Sequence, residues 1–157
     1  MPITARERRR HPRNRFRVEV EGLGSADFMT CSALQANVEV IEHREGGRLT
    51  PELTAGNVSF EPITLARGAA SGDNELYAWF QTVYEAGADR GLDAPNYKRT
   101  VDIIQLARSG GEERRWRLSK CWPSNFVAGE WDNDANENVV ESVTLQFEDF
   151  DRVPGSE

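Results

Sequence analysis

Apolar residues recur along most of this chain with a period of two, and over one stretch with a period near four. Phe16, Val18 and Val20 alternate with Arg15, Arg17, Glu19 and Glu21, the pattern of a strand that buries one face. Gly22-Leu23-Gly24 marks a turn, and Phe28 to Leu34 reads as a second strand. Val38, Val40 and Ile41 follow and end at the Gly46-Gly47 pair; further on, Val58 and Phe60 alternate with Asn57, Ser59 and Glu61. This predicts a β-hairpin with a half-buried second strand and a long polar tip from Arg44 to Gly56. Ile63 and Leu65 are odd-numbered where Val58 and Phe60 are even. Proline cannot donate to a ladder, so a phase change at Pro62 predicts a bulge, a bend or a passage from one sheet to another.

The period-four stretch is Leu76, Phe80, Val83 and Tyr84, flanked by Tyr77 and Trp79. It predicts one helix, with Asp73 as N-cap and Gly87 near its end. Its aromatic stripe reads as packing against a sheet. Ala88 to Lys98 reads as a loop. Val101 to Leu106 is apolar on both faces, as a central strand is. Ser109-Gly110-Gly111 turns into Arg114 to Lys120, and Asp132 to Asn136 forms another turn. Val139, Glu141, Val143, Leu145 and Phe147 share one face of the last strand, and Pro154 onward reads as a tail.

Six or seven strands and one helix predict a mainly β fold: a β-sandwich or open β-barrel with one α-helix packed on it. Residues 1–14 are expected to be a flexible basic arm, because Arg6 to Asn14 have no apolar period and Pro12 stops a helix. Residues 15–150 form one domain, and 151–157 a C-terminal tail.

Charge is unevenly placed. The 157 residues carry a formal charge of −7. Residues 1–17 hold seven arginines against Glu7, a surplus of +6, so the rest carries −13. An acidic body with a basic arm fits either an arm that binds an acidic neighbour or a nucleic-acid-binding β-domain. No aromatic interleaving or recognition helix accompanies the arginines. Apolar residues make up only 38% of the chain, which suits a thin domain or one whose core is completed by neighbours. No run approaches the roughly 20 apolar residues of a membrane helix, and no apolar stretch follows the basic start as in a secretory signal. Cys31 and Cys121 are therefore expected as reduced, buried thiols.

Catalytic and metal chemistry find little footing. His11 lies in the arm and His43 precedes a glycine pair with no serine nucleophile motif nearby. Two cysteines and two histidines, scattered, do not make a zinc site. Gly22 to Asp27 starts like a dinucleotide loop but lacks the third glycine. Asp132 to Asn136 starts like a calcium loop but has Glu137 where the glycine belongs and Val143 where the bidentate glutamate belongs. No enzyme and no cofactor are expected.

Six segments carry a family resemblance in order: Arg13 to Val18, Val38 to Gly47 (VEVIEHREGG), Ile63 to Gly68 (ITLARG), Leu76 to Phe80, Trp116 to Pro123, and Asn136 to Leu145. Together they resemble the tail tube proteins of contractile phages and the inner-tube proteins of phage-like contractile injection systems. More distantly, the fold is similar to the tube protein of type VI secretion. The arginine-rich residues 6–10 and the long loop from Asp89 to Arg99 depart from that pattern.

The resemblance implies a structural subunit that forms stacked hexameric rings around a channel for DNA or effector delivery. Its implied partners are copies of itself, a sheath protein, baseplate or hub and tube-initiator proteins, and a tape measure or effector cargo in the lumen, with no membrane insertion. It implies assembly in the cytoplasm of the producing cell, as a component of a phage tail or injection particle. The hairpin is then the ring-stacking element, through Arg44, Glu45, Gly46, Gly47, Arg48 and Glu52. Arg6, Arg8, Arg9 and Arg10 would form an assembly arm. A tube-initiator or baseplate adaptor ring of the same family is the near alternative, and a nucleic-acid-binding β-domain the distant one.

Overall fold

A computed structural model of the chain describes residues 16–26, 28–68, 74–88, 97–107, 109–134 and 138–154. Among them run ten strands and one helix: β1 (Phe16–Val20), β2 (Gly24–Ala26), β3 (Thr30–Cys31), β4 (Ala36–His43), β5 (Glu52–Phe60), β6 (Ile63–Gly68), α1 (Glu75–Ala88), β7 (Arg99–Leu106), β8 (Glu112–Val127), β9 (Val140–Gln146) and β10 (Asp149–Val153). The strands exceed the six or seven expected because the residues of β2 and β10 have the sequence pattern of a turn and a chain end. Phe28 to Leu34 shrinks to the two-residue β3. Arg6, Arg8, Arg9 and Arg10, the Asp73 cap and most of the loop after the helix lie outside the described residues.

Eight strands form one open antiparallel sheet in the order β2-β1-β7-β8-β9-β6-β3, with β10 also beside β8. Its spine is β8, which serves two half-sheets. Up to Cys121 it pairs β7; on its other edge β10 runs beside its first half and β9 beside its second. Gln146 pairs with Trp122 and Asp149 with Ser119, so β9 and β10 form one interrupted strand along β8. The interruption faces Lys120, which has a φ of 55°. A non-glycine residue in that region costs about 1–2 kcal/mol, and here it bends the spine. Pro123 pairs with Leu145 at the edge of a register break in the β8–β9 ladder, an irregular position of the kind where strands accept proline.

Both half-sheets and the helix close over a shared core that includes Val18, Ile63, Leu65, Val101, Leu118 and Leu145. On the helix, Leu76 and Trp79 are buried while Tyr84 is exposed. Trp79, expected at the flank, therefore sits at the centre, and its Nε1–H donates to the Tyr97 carbonyl at 2.7 Å. The Asn74 carbonyl accepts the first intrahelical bond, from Ala78 N–H, which puts Asn74 at the N-cap. The outer face of β1, β7 and β8 carries an ionic lattice. Asp102 is 7% exposed and accepts from Arg115 at 2.6 Å and from Arg117 at 3.0 and 3.1 Å, and Arg115 also reaches Glu19.

The phase change at Pro62 is a change of sheet. β5 ends at Phe60 in a separate two-stranded ribbon with β4, and β6 begins at Ile63 in the main sheet.

Candidate assembly site

The ribbon of β4 and β5 is the part of the described molecule that its own body does not cover. Every residue of β4 is exposed, and seven of the nine in β5. The half-buried second strand expected from the alternation is thus absent: Val58 is exposed, and only Phe60 reaches the body. There its ring meets Phe147 and Phe150 at centroid distances of 5.8 and 5.5 Å. From that root, eight residues of β4 reach about 27 Å at the usual rise per residue.

Register decides what the ribbon displays. Residues directly opposite in an antiparallel pair point to the same side. Val38 faces Val58, Val40 faces Ala55 and Glu42 faces Leu53, with a bulge between the first two pairs. The extra residue in β5 changes its phase, so odd-numbered Leu53 and Ala55 join even-numbered Val58 and Phe60 on one side. The result is a continuous apolar stripe in which Val40 is 65% and Leu53 63% exposed. Gly56 lies beneath Ile41 at this bulge; a Cβ there would sit 3.0 Å from the Ile41 side chain.

The tip is shorter than expected. His43 pairs with Glu52, so the strands run on to within eight residues of each other, and the turn spans 44–51 rather than 44–56. Arg48 N–H donates to the Glu45 carbonyl at 3.2 Å, and Gly47, with a φ of 97°, supplies the positive φ of that turn. Gly46 does not have positive φ. The charged residues pair within the ribbon: Arg44 with Glu42 at 3.1 Å and Arg48 with Glu52 at 3.5 Å. Leu49 projects fully into solvent between them. The charges and glycines of this arm are visible in the sequence; its apolar stripe is not. Alternation shows that a strand has an apolar face; it does not show whose atoms cover it.

A two-stranded ribbon is at best marginally stable alone in water, and an exposed apolar stripe on it marks an interaction surface. The sequence profile of the T4-like virus tail tube protein gp19 matches residues 12–151. The chain belongs to this family. It is a tail tube protein. Among curated proteins, none matches this tube protein in sequence.

Solved structures share the fold. One is a chain of the anti-feeding prophage cap, the tube-terminating cap, with a TM-score of 0.80 at 22% identity, covering 99% of this chain and 97% of that one. Another belongs to the PVC sheath-tube complex of an extracellular contractile injection system in the extended state, with a TM-score of 0.76 at 23% identity and coverage of 92% and 91%. A third is Hcp1 from Flavobacterium johnsoniae, at 0.56 and 12%, covering 89% of this tube protein and 95% of Hcp1. The fold is therefore the open, mainly β tube fold expected from the six segments. Among the described residues, no helix is long and apolar enough to cross a membrane.

Proposed function

We propose that this chain closes into six-membered rings that stack into a hollow tube, and that the β4–β5 arm is the stacking element. The observation that carries the reading is the apolar stripe of Val38, Val40, Leu53 and Val58, which the described residues of its own subunit leave uncovered. A neighbouring copy that covers this stripe completes a core that the 38% apolar composition leaves thin. The open main sheet supports the same reading: its edge strands β2 and β3 are only three and two residues long, which limits stray pairing of the free subunit. Contacts that complete each subunit's core have obligate size, on the order of 2,000 Å² or more. Head-to-tail contacts that close by rotation make rings.

Arg44, Glu45, Arg48 and Glu52 set register at the arm's tip, because charge pairs across an interface fix orientation more than they add affinity. Gly46 and Gly47 give the turn its shape. The work of the subunit is mechanical, with no catalytic step. Its partners are a sheath around the tube, a baseplate or hub with its initiator ring, and a tape measure or effector in the lumen. It assembles in the cytoplasm of the producing cell. A terminal ring of the same tube is the second reading, favoured by the likeness to the cap structure.

Replacing Glu42 to Leu53 by Asn-Gly tests the arm. That turn joins the paired residues Ile41 and Thr54 with a two-residue hairpin loop. The variant is expected to fold and to give single rings by electron microscopy and sedimentation, where the parent gives tubes. Long tubes from the shortened chain would remove the arm from the stacking contact.

A further inference from the structure

We propose that the arginine-rich segment 6–15 of one copy docks in an acidic, tryptophan-bearing groove at the far end of β8 on another copy. The inference rests on the reading that copies of this chain assemble. The groove, of about 550 Å³, lies between the end of β8 and the start of β9. Its apolar surface is Val127, Val140 and Trp131, the last 74% exposed in a turn otherwise made of small and polar residues. Glu130 and Asp132 stand beside the indole, and among the described residues neither meets a cation. In sequence, no lysine or arginine falls between Lys120 and Arg152, a stretch that holds eight acidic residues.

An apolar groove with an acidic rim and an indole face fits arginine. The guanidinium stacks on the aromatic face while its N–H groups bond carboxylates alongside. The protein already stacks arginine on rings this way: Arg67 over Phe28, Arg99 over Trp79 and Arg114 over Trp116, at 5.6 to 6.0 Å. The β4–β5 tip is a poorer occupant, because its arginines are already paired with Glu42 and Glu52. Residues 6–15 supply Arg6, Arg8, Arg9, Arg10, Arg13 and Arg15 against one glutamate.

Topology makes the contact intermolecular. Phe16 pairs with Gln105, and Gln105 with Arg114, near the start of β8. β1 and β8 run in the same direction, both antiparallel to β7. The chain before Phe16 therefore joins the sheet at the end where β8 begins, level with Arg114, and the groove lies where β8 ends at Val127, about 43 Å away along the strand. A basic segment at one end and an acidic groove at the other make a head-to-tail pair. Arg10 lies six positions before Phe16, a reach of about 20 Å from the sheet.

The test is a disulfide between copies. Full-length chain carrying Arg10→Cys is mixed with full-length chain carrying Asn133→Cys, allowed to assemble, and oxidised mildly. Arg10→Cys mixed with Asp149→Cys is the position control. The mixed dimer on a non-reducing gel is expected several-fold above the control. It should fall when salt is raised during assembly, and when Trp131→Ala is added to the Asn133→Cys chain. Sedimentation of the same mixtures separates the two ways to fail. Full-sized assemblies without a mixed dimer above control would overturn the docking and leave the tube reading standing. Monomers at every concentration would overturn both.

Discussion

The body and the arm of this protein use the same residue types to opposite ends. In the body, Val18, Leu118 and Leu145 are fully buried beneath the two half-sheets and the helix. In the arm, Val38, Val40 and Leu53 stand in solvent along one side of a ribbon. Both patterns alternate in sequence. The difference lies in what faces them: a second layer of the same chain in the body, and, among the described residues, nothing of the same chain on the arm. Stability is therefore concentrated in the body, and the arm is left free for contact.

The largest expected effect separates the two regions directly. Leu118→Ala removes side-chain volume at the bend of the spine and is expected to cost about 2–5 kcal/mol of unfolding free energy. Leu53→Ala in the arm is expected to stay within about 0.5 kcal/mol. Denaturant unfolding of dilute subunits measures both. A similar loss from the two would show that the arm belongs to the folding unit.

The ionic lattice comes next. Asp102→Ala leaves Arg115 and Arg117 side by side without their shared carboxylate. Arg117 keeps about half its side chain in water, so the expected loss is about 1–2 kcal/mol. Burial alone would raise the Asp102 pKa, but hydrogen bonds from Arg117 and Arg115 outweigh it and hold the carboxyl below its ordinary range. Its contribution is thus fully present above the unfolded value of about 3.9 and is lost as pH falls from there through the lowered folded value. Acid unfolding should set in at higher pH for the parent than its stability at neutral pH alone implies, and Asp102→Ala should remove that component.

A smaller effect on folding is expected from Val38→Lys, within about 0.5 kcal/mol, while the same change places a charge in the stripe and should stop stacking. Sedimentation and unfolding on one sample compare the two outcomes. Tubes of normal length would show that the stripe stays wet in the assembly. The smallest effect concerns the thiols. Burial pushes Cys121 up to about 12 and Cys31 up to about 11, so little thiolate exists at neutral pH. A thiol reagent should react slowly with native protein and find two thiols after denaturation. Fast native reaction at Cys121 would mean that the body opens readily.

How much of this was legible in the sequence follows from the same contrast. The central position of Val101 to Leu106, the helix and the change of sheet at Pro62 were readable, because each rests on local chemistry: apolar residues on both faces, a period near four, and a missing N–H. The extent of β8 was not. The alternation predicts a strand only from Arg114 to Lys120, whereas β8 runs on through Pro123, at a register break in the neighbouring ladder, to Val127. β10 was hidden for a related reason. Its residues look like a chain end until Asp149 is seen to pair with Ser119 past the bend at Lys120. At the assembly site, the charges and glycines of the tip were visible, but the stripe was not. Leu53 and Val58 have opposite parity in sequence and share a side only because of the bulge.

The strand order also fixes which part of the chain can form first. Ala36 and Phe60 close the arm across 24 residues, whereas Val18 meets Ile103 and Ile63 meets Leu145 across more than eighty. Hairpins form in about 1–10 μs, while sheets built on distant pairings fold far more slowly. During synthesis the ribbon has both its strands well before β9 and β10 exist to complete the sheet. A nascent subunit therefore displays its exposed apolar stripe before it has a body, and crowding of half-made chains during that interval is the hazard this topology creates.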